Sequence, residues 1–93
     1  MEYWRVEWIH EFESEPIVIF SEIDEVRYET RKVQQYRDRA SLKSDEFHES
    51  SDIGLSEIRL ESIDEVNQQP DFRARVISRS EFEVAWGEAQ WPS

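Results

Sequence analysis

The stretch Tyr3–His10, Y-W-R-V-E-W-I-H, constrains the fold more than any other part of the chain. Trp4, Val6 and Trp8 fall on one side of an extended backbone, and Arg5 and Glu7 fall on the other. Period-two alternation in β-branched and aromatic residues is the pattern of a β-strand with one buried face. Two indoles on one face can bury more apolar area than any other short stretch here. The segment is therefore expected to form the centre of a sheet.

The residues that follow supply its neighbours. Glu11–Glu15 is a polar loop of hairpin length, closed by Pro16, which suits the first position of a strand. Ile17-Val18-Ile19-Phe20 is a short apolar run, read as a strand covered on both faces, and Ser21–Glu25 reads as a turn. Val26–Arg37 is ambiguous. Val26, Val33 and Tyr36 fit helical spacing, but the segment has no cap, no glycine stop and no broad apolar stripe, which favours a long strand. Tyr28, Thr30 and Tyr36 share one parity and Val33 has the other, so a β-bulge is expected near Val33. Asp38-Arg39 predicts a tight turn without the usual glycine, and Ala40–Ser44 a short return strand. Asp45–Gly54 reads as a surface loop, and Leu55–Leu60 as a short edge strand.

The period then changes. Ser62-Ile63-Asp64-Glu65 and Ser78-Arg79-Ser80-Glu81 are both capping boxes. Pro70 keeps the first helix short. In the second, Ile77 and Phe82 form a hydrophobic staple, and Phe82, Ala85, Trp86 and Ala89 lie on one helical face. Phe72 between the helices is a core candidate, and Arg73–Val76 is unassigned. The predicted fold is α+β: an antiparallel four- to five-stranded sheet followed by one or two C-terminal helices packed on one face. Trp4 and Trp8 are expected to pack against Phe82 and Trp86. Ninety-three residues make one domain, burying about 60–65 % of the unfolded surface.

Charge bounds the function. The chain carries 22 acids against 11 Lys plus Arg, a net −11. This opposes binding to nucleic-acid phosphates or to an anionic membrane, and favours encounter with a basic protein partner. The distribution is uneven: net −6 over Met1–Asp24, +3 over Glu25–Lys43 and −8 over Ser44–Ser93. The basic ribbon is expected to pair with carboxylates on adjacent strands. Two acidic loops are the candidate partner-binding residues: Glu11, Glu13 and Glu15 in one, and Asp45, Glu46, Glu49 and Asp52 in the other. A four-stranded meander is expected to bring both to the same end of the sheet. Trp91, outside the helical frame, is a candidate aromatic anchor.

No serine-centred elbow, phosphate loop or zinc spacing occurs, and two glycines in the whole chain provide poorly for close approach to a phosphate. His48, among Asp45, Glu46, Glu49 and Asp52, and His10, beside Glu11, are the candidates for acid–base chemistry. Neither has metal-ligand spacing, so no metal and no cofactor is expected. With no cysteine, no apolar run long enough to span a bilayer and no visible signal peptide, a cytoplasmic location is expected.

Three segments resemble a known family: the opening Y-W-R-V-E-W-I-H; S-E-I-D and R-K-V-x-x-Y-R-D in the middle; and the closing I-S-x-x-E-F-x-x-x-W. They resemble a small bacterial family of uncharacterised acidic single-domain proteins, seen mainly in actinobacteria. Similar members often have glycine after the aspartate of R-D, where this chain has Arg39. The resemblance implies a stand-alone domain and transfers no catalytic residue. By analogy of size and charge, the expectation is a non-enzymatic module that neutralises a basic protein, as immunity proteins and phage-borne inhibitors of defence enzymes do. The alternative is a small enzyme or ligand-binding domain using His48 or His10. Self-association is compatible with either.

Overall fold

A computed structural model describes residues 1–92. Five antiparallel strands form one sheet: β1 (Glu2–Trp8), β2 (Val18–Ile23), β3 (Glu29–Gln35), β4 (Ser41–Asp45) and β5 (Phe72–Ile77), in the order β4-β3-β2-β1-β5. Two helices, α1 (Ile63–Asn67) and α2 (Arg79–Glu88), flank β5 in the chain. The fold is α+β, as the sequence predicts.

The strand pairing differs from expectation in four places. The middle strand is β2, and β1 lies between β2 and β5. β2 continues through Ser21, Glu22 and Ile23, which read as a turn because two are polar; all three are buried, and the two polar side chains find partners. The strand irregularity falls at Thr30 and not at Val33: Glu22 pairs with Arg31 and Ile23 with Glu29, leaving Thr30 extra. Val33 is regular and fully buried opposite Phe20. The fifth strand is Phe72–Ile77, within the segment left unassigned, while Leu55–Leu60 forms no strand. That segment and Gly54 before it are instead held by two side chains of β3 and by one backbone bond to the β2–β3 turn. Ser56 N–H donates to Glu29 Oε1, Lys32 Nζ donates to Gly54 O, and Leu60 N–H donates to Arg27 O. The bulge makes this possible by turning Glu29 onto the face that carries Ser21, whose hydroxyl donates to it at 2.7 Å.

The two sheet faces have different covers. Tyr3, Phe20, Val33 and Ile77 lie on one face in register, and α2 packs there through Phe82 and Ala85. Tyr3 and Phe82 meet at 5.2 Å between ring centroids. Trp4, Val6 and Trp8 point to the opposite face, so the expected packing of Trp4 and Trp8 on Phe82 and Trp86 is replaced by Tyr3 on Phe82. Strand parity decides this: Tyr3 shares its face with Arg5 and Glu7, whose charges hid an apolar anchor. The Trp4 face is covered by irregular chain around Ser56 and Leu60 and by Val66 of α1.

Both helices start where the capping boxes predict, with Ser62 Oγ accepting from Glu65 N–H and Ser78 Oγ from Glu81 N–H. Both sheet edges are blunted. Gln90 bridges to β4 through Gln90 N–H to Ser41 O and Lys43 N–H to Gln90 O, each 3.0 Å. On β5 the Asn67 carboxamide takes both backbone groups of Ala74.

Candidate functional site

Half of the basic ribbon pairs with neighbouring carboxylates as expected: Arg27, Arg31 and Lys32 do, whereas Arg37, Arg39 and Lys43 join no ion pair among the described residues. Arg31 Nη2 lies 2.7 Å from Glu22 Oε2 on β2, and Arg31 Nη1 lies 2.9 Å from Glu83 Oε1 on α2. Its guanidinium also rests on the Phe82 and Trp86 rings, 4.8 Å from each centroid. The Arg31 hydrogen bonds hold Glu22 at a pKa of about 2; burial opposes this, and the Thr30 and Tyr3 hydroxyls add to it. Lys32 pairs with the buried Glu29 at 3.1 Å, and Arg27 with Glu2 at 3.5 Å.

The β1–β2 loop is arranged differently. Glu11, Glu13 and Glu15 are all exposed, and none of them joins an ion pair among the described residues. The loop is nevertheless shaped by specific bonds. His10 Nε2–H donates to Pro16 O at 2.7 Å, and Phe12 N–H donates to His10 Nδ1 at 3.0 Å. These partners select the neutral tautomer with the proton on Nε2. Arg37, in the β3–β4 turn, reaches across to the carbonyls of His10 and Phe12. His10 therefore organises the loop, using both ring nitrogens to do so.

Beside this loop runs an open groove of about 610 Å³, lined by Glu13, Tyr36, Arg37, Asp38, Leu42 and Asp52 among others. Tyr36 and Leu42 give it an apolar floor, and three carboxylates with one guanidinium, Arg37, give it a rim of net negative charge. Burial raises the Tyr36 pKa, and the charges of Asp52 and Glu15 raise it further. Asp38, Tyr36 and Leu42 were not singled out in the sequence, where they read as turn and strand residues. Their contribution depends on the β3–β4 turn lying beside the β1–β2 loop, which only the pairing order reveals.

The two acidic loops do not share one end of the sheet. Asp45 lies in register with Arg31, Glu22 and Tyr3, whereas the β1–β2 loop leaves from Trp8 at the other end. Three antiparallel strands, an odd number, run between the two loops and force this separation. The chain after Asp45 then doubles back, so Asp52 alone of its loop lines the groove with Glu13. Asp45 is a turn organiser: its Oδ1 accepts from Phe47 N–H at 2.9 Å and lies 2.8 Å from His48 Nδ1. Burial works against ionisation of Asp45, but these bonds outweigh it and hold its carboxyl below the usual range. Glu46 and Glu49 are exposed in the same segment, away from the groove lining.

Trp91 is 42 % exposed, and the rest of its ring is packed against neighbours. Its ring lies 4.2 Å from His48 and 5.6 Å from Trp86, and Lys43 Nζ sits 4.8 Å from it. His48 is thus engaged by Asp45 and Trp91, and it lines none of the hollows described here. Among the described residues no three His, Asp or Glu side chains converge as a metal site would require. A second hollow, about 340 Å³ on the Trp4 face, has walls from Trp4, Val6, Ile19, Leu60 and Phe72. Its polar pair, Glu29 and Lys32, is already bonded to Ser21, Ser56 and Gly54.

A family model described as a domain of unknown function, DUF6881, matches residues 2–91. The chain belongs to this family. The match spans all five strands and both helices, so the acidic loop and groove are part of the family's domain. No curated protein and no solved structure matches the chain. Among the described residues no helix is long and apolar enough to cross a membrane.

Proposed function

We propose that this chain is a non-enzymatic, acidic protein-binding module of the bacterial cytoplasm that neutralises a basic protein partner. The partner class is a toxin or a nucleic-acid-binding defence enzyme, and the role is that of an immunity protein or a phage-type inhibitor. The observation that carries the reading is the division of charge. Arg31, Lys32 and Arg27 are spent on internal carboxylates, whereas Glu11, Glu13 and Glu15 face solvent beside a groove rimmed by Glu13, Asp38 and Asp52. Such a surface accelerates encounter with a Lys/Arg-rich face and covers it against phosphate ligands.

A second reading, a small enzyme or ligand-binding domain, rests on the His48–Asp45 pair at 2.8 Å. The engagement of His48 by Trp91 and of both His10 nitrogens by loop backbone favours structural roles for the two histidines.

The test is affinity purification from the producing bacterium, with wild type and a Glu11→Lys/Glu13→Lys/Glu15→Lys variant as parallel baits. A basic protein held by wild type and lost by the variant, with displacement of its nucleic acid on binding, supports the reading. Equal retention by both baits contradicts it.

A further inference from the structure

Phe12 sits at the crest of the acidic loop, between Glu11 and Glu13, with 62 % of its surface exposed. An exposed phenyl ring among carboxylates gains nothing from solvent, and this one is held in place. Its N–H is bonded to His10 and its carbonyl to Arg37. Its ring lies 6.4 Å from Trp8 at an interplanar angle of 53°, and His10 packs against both. Phe72 stacks on Trp8 and stiffens the inner wall. The notch beside these rings, about 290 Å³, is lined by Trp8, Phe12, Ser14 and Glu15.

Two aromatic walls and a carboxylate form a recognition set for an organic cation. The ring faces attract the charge, and the carboxylate accepts its hydrogen bonds. The same combination occurs under α2, where Arg31 lies on Phe82 and Trp86 while pairing with Glu22 and Glu83. There the cation is the chain's own. In the notch, Phe12 and Glu15 are exposed and Trp8 is half-buried, and the lining holds no cationic side chain.

Resting on the function proposed above, we infer that the Trp8–Phe12–Glu15 notch receives an arginine side chain of the basic partner. A planar guanidinium can lie along a ring and present two N–H groups to Glu15 at once, which an ammonium cannot. Glu11 and Glu13, exposed on either side of Phe12 in the chain, favour a cationic occupant over a neutral apolar one.

The experiment is an NMR titration of the intact chain with hexa-arginine, hexalysine and a neutral Gly/Ser hexapeptide. It is run on wild type, Phe12→Ala, Glu15→Gln and the control Phe47→Ala, whose ring is 86 % exposed in the other acidic segment. Amide dispersion confirms that each variant is folded. Hexa-arginine is expected to shift the Trp8 indole N–H and to bind more tightly than hexalysine. Phe12→Ala and Glu15→Gln should each weaken it about three- to fivefold, and Phe47→Ala should leave it unchanged. Salt-sensitive binding that ignores Phe12 and Trp8 would overturn the notch while leaving the acidic surface as the binding element. Hexalysine matching hexa-arginine would overturn the choice of arginine. Absence of binding by either cationic peptide would overturn both the notch and the proposed function.

Discussion

Arg31 donates to Glu22 at 2.7 Å across the β2–β3 seam, beneath α2. This contact converts a buried carboxylate from a liability into a cross-link, because the same guanidinium also engages Glu83 of the helix. It also fixes a pH dependence. Glu22 falls from an ordinary pKa of 4.5 to about 2 in the folded chain. As pH drops, the unfolded chain takes up this proton first, so the stabilisation is complete above about 4.5 and is lost as pH approaches 2. The linked amount is on the order of 2–3 kcal/mol. Unfolding free energies of wild type and Glu22→Gln from urea titrations should differ by that order at neutral pH and converge toward pH 2. A gap that stays constant over this range would contradict the assignment.

The β3–β4 turn carries local strain. Arg39 has φ of 72°, a left-handed conformation that costs a residue bearing a Cβ about 1 kcal/mol. Arg39→Gly should therefore raise stability by up to about 1 kcal/mol, partly offset by the flexibility glycine adds to the unfolded chain. Arg39→Val should lower it. Thermal unfolding of the two variants checks the sign; a less stable glycine variant would show that the Arg39 side chain outweighs the strain.

Asn67 tests how the β5 edge is closed. Its carboxamide donates to Ala74 O at 2.8 Å and accepts from Ala74 N–H at 2.6 Å, as a neighbouring strand would. Asn67→Ala should cost about 1 kcal/mol and speed hydrogen exchange at the Ala74 amide while leaving the Val33 amide protected. Unchanged exchange at Ala74 would mean that α1 shields the edge without this side chain.

Much of the architecture was legible because local signals agreed. The Ser78 cap, the Ile77–Phe82 staple and the Phe82/Ala85 stripe all describe the helix that forms, and the Tyr3–His10 alternation describes its strand. What could not be read was which face each element uses. Trp4 and Trp8 look like partners for Phe82, yet a strand has two faces, and Tyr3 takes the helix. β5 carries the same alternation as β1, with Phe72, Ala74 and Val76 against Arg73 and Arg75. It is short, however, holds only one large apolar residue in that set, and lies between two capping boxes that drew the segment toward helix. Ile53 is almost fully buried within a stretch whose Ser and Asp content reads as loop. At the candidate site, Glu11, Glu13 and Glu15 were visible as a charge run. The groove beside them needs Asp38 and Asp52, brought there by the β3–β4 turn and by the returning chain.

The central claim is that the β1–β2 loop is acidic for binding and not for folding. The direct measurement is the association rate of wild type and the Glu11→Lys/Glu13→Lys/Glu15→Lys variant with the captured basic partner, at low and at physiological salt. Unfolding of both proteins is followed in parallel. The account predicts fast association for wild type that slows steeply as the Debye length contracts to about 8 Å, and a variant at least about tenfold slower at low salt. Because exposed charges contribute little to folding, the stabilities should agree within about 1 kcal/mol. Equal association rates and a flat salt dependence would contradict the claim.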